Sequence, residues 1–115
     1  MKKTVAVYKG GQMIIEEVFL ADTFFNRLCG LIPSKDLEEN KGIILIPCRQ
    51  IHTFFMKISI DAVFLSKENI VIHIEHCMRP NKTTRYIKSA ECVLELNCGA
   101  VEKLNINNGD VLRLL

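Results

Sequence analysis

The sequence has no tryptophan, no long apolar run and no strong excess of charge of either sign. Its 15 Lys and Arg residues nearly balance its 13 Asp and Glu residues, and the formal net charge is +2. This balance disfavours nucleic acid and acidic lipid as partners. No apolar run approaches the roughly 20 residues of a membrane helix, and the first residues lack the apolar core of a signal peptide. We therefore expect a cytoplasmic protein without a membrane segment.

The sequence also lacks the short motifs of common enzyme and metal sites. It contains no H-E-x-x-H, no P-loop, no G-x-S-x-G and no C-x-x-C. His73 and His76 are three residues apart, which in a strand puts them on opposite faces and disfavours a shared metal. We predict neither a metal nor a cofactor, and the sequence identifies no catalytic residue.

The cysteines are five in number, an odd count without paired spacing, and most lie in apolar runs. These features disfavour both a disulfide framework and a zinc knuckle. Small buried thiols that stay reduced are the expected state. The five residues are Cys29, Cys48, Cys77, Cys92 and Cys98.

What the sequence does contain is a series of short β-type segments. Residues 5–8 and 13–19 flank Gly10 and Gly11, a hairpin signal. Further strands are predicted over residues 43–46, 70–77, 91–96 and 111–115, with a helical turn over residues 100–104. One short helix is predicted from the N-cap Asp22 to Gly30.

Length and composition then bound the fold. The chain has 115 residues, of which 49% are hydrophobic, enough for one domain with a core of its own. Many short strands and a single early helix predict a mainly β (α+β) domain over residues 1–115, a small β-barrel or roll. Closure of the sheet would hide the edges of its apolar strands.

Residues 51–65 are the stretch around which the rest is expected to pack. They are apolar, rich in β-favouring residues and free of Gly and Pro, yet they include His52, Thr53 and Asp61. Burying such groups unpaired costs on the order of kcal/mol each. If the stretch is one strand, His52 and Asp61 lie on opposite faces. A bend near residues 57–59 would bring Asp61 towards His52.

An ordered series of residues resembles a widespread prokaryotic family, domain of unknown function 192, also called uncharacterised protein family 0127. The series runs from Arg27 and Gly30-Leu31 through Gly42 to the central stretch, then to Glu95, Gly99 and Gly109-Asp110. The resemblance covers nearly all of the chain from residue 21 onwards. It implies a compact, mainly β single domain with a short helix, and no established activity.

Several polar side chains are candidates for function, each with a structural alternative. His52 suits a ligand contact or a proton shuttle, or else it is a core imidazole with a backbone or carboxylate partner. Asp61 and Glu95 could form a carboxylate pair for acid–base work. Alternatively, Asp61 is held by backbone amides or by Arg27, and Glu95 lies on a solvated face. The candidate ligand-binding set is His52, Thr53, Met56, Asp61, Glu95 and Arg27.

Three functions are compatible with these residues. The leading hypothesis is a non-catalytic accessory domain that binds a small molecule or a protein partner at a polar pocket of His52, Thr53 and Asp61. The second is a small hydrolase-like enzyme that uses His52 with Asp61 or Glu95. The third is an RNA-binding module that uses the loop carrying Arg79, Lys82, Arg85 and Lys88.

Overall fold

The first two strands form the hairpin that the two adjacent glycines predict. The computed structural model describes residues 3–21, 41–54 and 56–115. Strands β1 (Thr4–Lys9) and β2 (Gln12–Ala21) pair antiparallel, with Val7 opposite Ile15. Gly10 and Gly11 turn the chain with φ of 58° and 83°, values that glycine adopts without steric cost. The helix predicted from Asp22 to Gly30 lies outside the described residues.

The other strands predicted outside residues 51–65 and the predicted helical turn are confirmed with small changes of bounds. The short helix at residues 100–103 begins just after Gly99, which has the left-handed φ of 95°. The elements that follow the hairpin are β3 (Lys41–Leu45), β4 (Ile60–Leu65), β5 (Val71–Met78), β6 (Cys92–Asn97), α1 (Ala100–Lys103) and β7 (Leu112–Leu114).

The seven strands form one sheet in the order β5-β4-β6-β3-β2-β1-β7. Neighbours pair antiparallel except β2 and β3, which are parallel. The sheet curls, and its edge strands meet at one corner through a bridge between Ile70 and Val111. There the amide of Val71 donates to the carbonyl of Asp110 at 2.8 Å. The predicted mainly β architecture is confirmed as a curled half-barrel.

The central stretch is a strand only in its second half. All six residues of β4 are buried, and β4 lies between β5 and β6. Of the two possibilities for residues 51–65, one continuous strand is wrong, and the bend expected near residues 57–59 is confirmed at residues 57 and 58. The first half of the stretch does not join the sheet because it pairs with another segment, as shown by an isolated bridge between His52 and Thr83. Thr53 likewise exchanges backbone hydrogen bonds with residues 81 and 82.

The two faces of the central strands carry separate apolar clusters. Along β4, Val63 and Leu65 belong to one cluster, and Ala62 and Phe64 belong to the other. This alternation is expected of strands that are covered on both faces. Among the described residues, no helix is long and apolar enough to cross a membrane.

Candidate functional site

Asp61 is a structural anchor, the alternative that the sequence offered for it. Its side chain is buried, at 1% exposure. Oδ1 accepts a hydrogen bond from the amide of Cys77 at 2.7 Å, and Oδ2 accepts from the amides of Gly99 at 3.1 Å and Val101 at 2.9 Å. The carboxylate thus fixes the end of β5 and the turn into α1. Backbone amides are therefore its hydrogen-bond donors among the described residues, whereas Arg27, the other partner that the sequence suggested, lies outside them.

The partners of Asp61 have backbones that sheet pairing alone would leave unsatisfied. Between β4 and β5 the register passes from Ala62 opposite Glu75 to Ile60 opposite Met78, so β5 has one extra residue and bulges. Cys77 lies in this bulge with a φ of 45°, and its amide turns to Asp61 instead of the ladder. The sequence could not reveal this contact, because the bulge has no sequence signal of its own.

A disulfide joins Cys77 to Cys98 beside this anchor. Their Cα atoms are 4.6 Å apart, and the bond links β5 to the turn that precedes α1. The prediction that every cysteine stays reduced is therefore wrong for this pair, because the fold brings together two residues that are 21 positions apart in sequence. Cys48 and Cys92 form no disulfide with another described residue and are buried, as predicted. Cys29 lies outside the described residues.

The buried thiol of Cys92 and the disulfide pair differ in chemistry. Burial, with smaller effects of Glu91 and Cys48, raises the pKa of the Cys92 thiol to about 12, which suppresses the nucleophilic thiolate. Asp61 with Cys77 and Cys98 is the one cluster of metal-ligand atoms among the described residues. Its sulfurs are bonded to each other and its carboxylate is already hydrogen-bonded to amides, so it is a structural corner.

The side chain of Thr53 links its own segment to the loop of residues 79–82. Its hydroxyl donates to the carbonyl of Arg79 at 2.6 Å and accepts from the amide of Lys82 at 2.9 Å. Its own amide donates to the carbonyl of Lys82 at 2.9 Å. Thr53 is fully buried, so its polar atoms hold protein backbone on both sides. Met56 is also buried and belongs to the apolar core.

His52 is half-buried and forms no hydrogen bond with Asp61. Its ring stacks on Phe54 with centroids 4.8 Å apart, and its Nδ1 accepts from the amide of Phe54 at 3.3 Å. Phe54 is 42% exposed. The three residues of the predicted pocket, His52, Thr53 and Asp61, form no direct hydrogen bond with one another. Asp61 binds backbone amides at the end of β5 and before α1, and Thr53 binds the backbone of residues 79 and 82. A ligand contact by His52 stays a prediction.

Glu95 is buried in the middle of the sheet. It is 1% exposed, and its Oε2 accepts no hydrogen bond from any described residue. Burial raises the pKa of this carboxyl to about 8. The prediction that Glu95 lies on a solvated face is therefore wrong. In the register Glu95 lies opposite Ala62 whereas Asp61 lies opposite Leu96, so the two acids face opposite sides of the sheet and do not form a pair.

A groove of about 350 Å³ opens beside the Asp61 corner. It lies between the end of β6 and α1, and Ile15, Lys41, Asn97, Cys98, Gly99 and Lys103 contribute to its walls. Lys41 contacts the carboxylate of Glu17 at 3.2 Å. None of the five described members of the predicted ligand-binding set lines this groove, although Asp61 accepts a hydrogen bond from the amide of Gly99 in its wall.

Six of the ten exposed Lys and Arg residues that the structure describes lie on one pair of segments, residues 49–57 and 79–90. We call these segments the basic surface. They run antiparallel, as shown by hydrogen bonds from the amide of Thr84 to the carbonyl of Ile51 at 3.0 Å and from the amide of Ile87 to that of Arg49 at 2.8 Å. The side chain of Gln50 adds a bond to the carbonyl of Thr84 at 2.9 Å.

The charge of the basic surface is of one sign. It holds six of the chain's 15 Lys and Arg residues and none of its 13 Asp and Glu residues, which leaves nine cations against 13 acids elsewhere, a net charge of −4. None of the six forms an ion pair with a described acidic side chain, and all six are exposed. They are Arg49, Lys57, Arg79, Lys82, Arg85 and Lys88.

Comparison with known proteins identifies relatives without assigning a role. The sequence profile of the DUF192 family, described as an uncharacterized ACR, matches residues 5–114. A UPF0127 protein of Thermococcus sibiricus is 30% identical over 105 residues, which are 87% of this chain and 67% of that protein.

Two crystal structures share the fold. A protein of unknown function from Novosphingobium aromaticivorans superposes with a TM-score of 0.83 at 22% identity, covering 97% of this chain and 84% of that chain. A protein from Sinorhizobium meliloti, called a putative transcription regulator, gives a TM-score of 0.79 at 21% identity and covers 99% and 94%. At these identities the likeness shows the fold alone.

Proposed function

The chain belongs to the domain of unknown function 192 family, as its residue series predicted, and membership in this family assigns no activity. From the charge distribution on its surface, we propose that the protein is a non-catalytic domain that binds a polyanionic partner. The observation that carries the proposal is the charge segregation. A surface of net charge +6 on a chain of net charge +2 is a local field that attracts polyanions, whatever the overall balance.

The basic surface is also held in a fixed shape. The buried hydroxyl of Thr53 ties residues 79 and 82 to the opposite segment. The guanidinium Nε of Arg49 donates to the carbonyl of Ala90 at 3.0 Å, which fixes that side chain against its neighbour. A binding surface held by such bonds loses less conformational entropy when a partner docks. His52 belongs to this surface and is proposed as a contact residue. Thr53 is buried and holds the two segments together through its hydrogen bonds.

The hydrolase alternative has less support. It requires a base beside His52, and the two candidates point elsewhere: Asp61 binds three backbone amides, and Glu95 faces the core. Non-catalytic binding at the basic surface does not require Asp61 or Glu95 to leave its present position.

Charge reversal on the basic surface tests the proposal. We expect the double variant Lys82→Glu/Arg85→Glu to bind fluorescent polyphosphate at least about ten-fold more weakly than the parent chain, because two attractive charges become repulsive. The control is Lys67→Glu/Lys103→Glu, which makes the same change in net charge outside the basic surface. Anisotropy titrations at fixed salt measure both. Equal weakening by the control, or no effect of the double variant, would refute the proposal.

The compartment in which such a partner is met stays a prediction. The sequence predicts the cytoplasm, where structural disulfides are rare, whereas the Cys77–Cys98 bond is of a kind that persists in oxidising compartments. Rapid alkylation of cells that produce the chain, followed by mass spectrometry of this pair, would test the cytoplasmic assignment directly.

A further inference from the structure

We infer that the polyanion is a single-stranded nucleic acid whose bases stack on the exposed aromatic side chains of the basic surface; this inference rests on the proposed function above. The charges account for phosphate binding, and the rings provide the contact that distinguishes a nucleic acid from other polyanions. Base–aromatic stacking on a cationic groove is the usual design of proteins that bind single strands.

The aromatic residues are placed among the cations. Phe54 is 42% exposed and Tyr86 is 56% exposed, and these are the described aromatic side chains with the largest exposure. Both lie on the basic surface. Exposed apolar rings do not gain the free energy that burial would provide. A partner with flat apolar faces could cover the two rings of the basic surface and provide that burial.

The stacked pair of His52 and Phe54 has a defined orientation. The ring planes are 25° apart with centroids at 4.8 Å, so Phe54 is supported on one side by the imidazole. The bridge between His52 and Thr83 and the hydrogen bond from the amide of Thr53 to the carbonyl of Lys82 place the backbone of Lys82 next to the segment that carries this pair. A nucleotide on Phe54 would therefore have a cation near its phosphate, which is the combination that a single strand needs.

Other polyanions fit these features less well. In a duplex the base faces are covered by their neighbours, so stacking on Phe54 would require unpairing. An acidic protein offers carboxylates without flat rings at each charge. Single strands expose one aromatic face per nucleotide, with a phosphate between successive bases, and both parts match the surface.

The test compares single-stranded oligonucleotides with polyphosphate, which shares their phosphates and has no bases. Fluorescein-labelled U12 RNA, T12 DNA and inorganic polyphosphate of about 12 phosphates are titrated against the chain, together with a 12-base-pair duplex and poly-glutamate. We expect either single strand to bind at least about five-fold more tightly than the duplex or poly-glutamate. Its log affinity should fall with log salt at a slope of about −0.7 per phosphate contacted.

Aromatic variants give the discriminating result. Phe54→Ala should weaken binding of U12 or T12 by about five- to 100-fold, the range expected for loss of one stacked base, and leave polyphosphate affinity within about two-fold. Tyr86→Ala should act in the same direction. The matched control is Met13→Ala, which removes another exposed apolar side chain (50% exposed) away from the basic surface and should change neither affinity. Thermal melts of each variant establish that the fold is kept.

The possible results separate this inference from the proposed function. If Phe54→Ala weakens oligonucleotide and polyphosphate equally, or neither, or if the duplex or poly-glutamate binds as tightly as U12 and T12, the single-strand inference is overturned. Polyanion binding then still stands, provided that Lys82→Glu/Arg85→Glu weakens polyphosphate binding. If that double variant has no effect on any probe, both are overturned.

Discussion

The buried carboxyl of Glu95 should make the stability of the fold depend on pH. In the unfolded chain this group has its ordinary pKa of 4.5, and in the folded chain burial raises the pKa to about 8. Between these two values the folded state keeps a proton that the unfolded state has released. Stability is therefore greatest below about pH 4.5 for this group and decreases as the pH rises towards 8. The slope approaches about 1.4 kcal/mol per pH unit for one proton.

The Glu95→Gln variant isolates this effect from every other titration. Gln is nearly isosteric with a protonated Glu and does not ionise, so the two chains should have similar unfolding free energies at pH 5. From pH 5 to pH 8 the parent should lose about 4 kcal/mol relative to the variant. Urea denaturation at half-unit pH steps measures the difference. Glu68→Gln, on the exposed β4–β5 turn, is the control and should run parallel to the parent.

One outcome would refute the reasoning about Glu95. If the parent and Glu95→Gln differ in unfolding free energy by a constant amount from pH 5 to pH 8, the carboxyl is ionised in the folded state throughout. Some group would then satisfy Oε2, and Glu95 would be a paired residue instead of a buried neutral acid.

Three further predictions follow from the packing. Asp61→Ala leaves three backbone amides without an acceptor and should lower the unfolding free energy by at least about 3 kcal/mol, whereas His52→Ala should lower the melting temperature little; similar losses for both would place His52 in the core. Gly42→Ala should destabilise by about 1–3 kcal/mol, since its Cβ would lie 2.8 Å from a carbonyl oxygen of β6; unchanged urea denaturation would contradict this contact. Reducing Cys77–Cys98 opens a crosslink over 21 residues and should cost about 3 kcal/mol on the chain-entropy estimate, with two alkylation sites gained in mass spectrometry; an unchanged denaturation midpoint and no gain would contradict the bond.

Hydrophobic alternation was sufficient to predict most of the sheet. The hairpin at Gly10-Gly11, the buried β3 and the alternating β6 each have a local signature, and local signatures survive folding. The first half of residues 51–65 has the same composition but pairs with residues 79–90 instead of the sheet. Ile51 and Met56 in this half are buried, whereas Phe54 is 42% exposed, so composition predicted burial correctly only in part and predicted strand pairing incorrectly.

The candidate site was less predictable because its determinants are non-local. The disulfide depends on a bulge in β5 that places Cys77 next to a turn 21 residues later. The basic surface depends on the pairing of two loops that no sequence pattern joins. Summed over the whole chain, its charge cancels against acids on other elements, so net charge argued against a polyanion partner while local charge argues for one.

Asp61 and Glu95 show why residue type alone did not assign these roles. Both are carboxylates at 1% exposure on neighbouring strands, yet one accepts three amide hydrogen bonds and the other has an oxygen with no described donor. The same acid-to-amide change should therefore have opposite effects at pH 7.5. Asp61→Asn turns an NH₂ group towards backbone donors and should destabilise the fold, whereas Glu95→Gln removes the cost of keeping a proton and should stabilise it. Unfolding free energies of the two variants, measured in one buffer, check the contrast, and a change of the same sign in both would mean that the two acids share one environment.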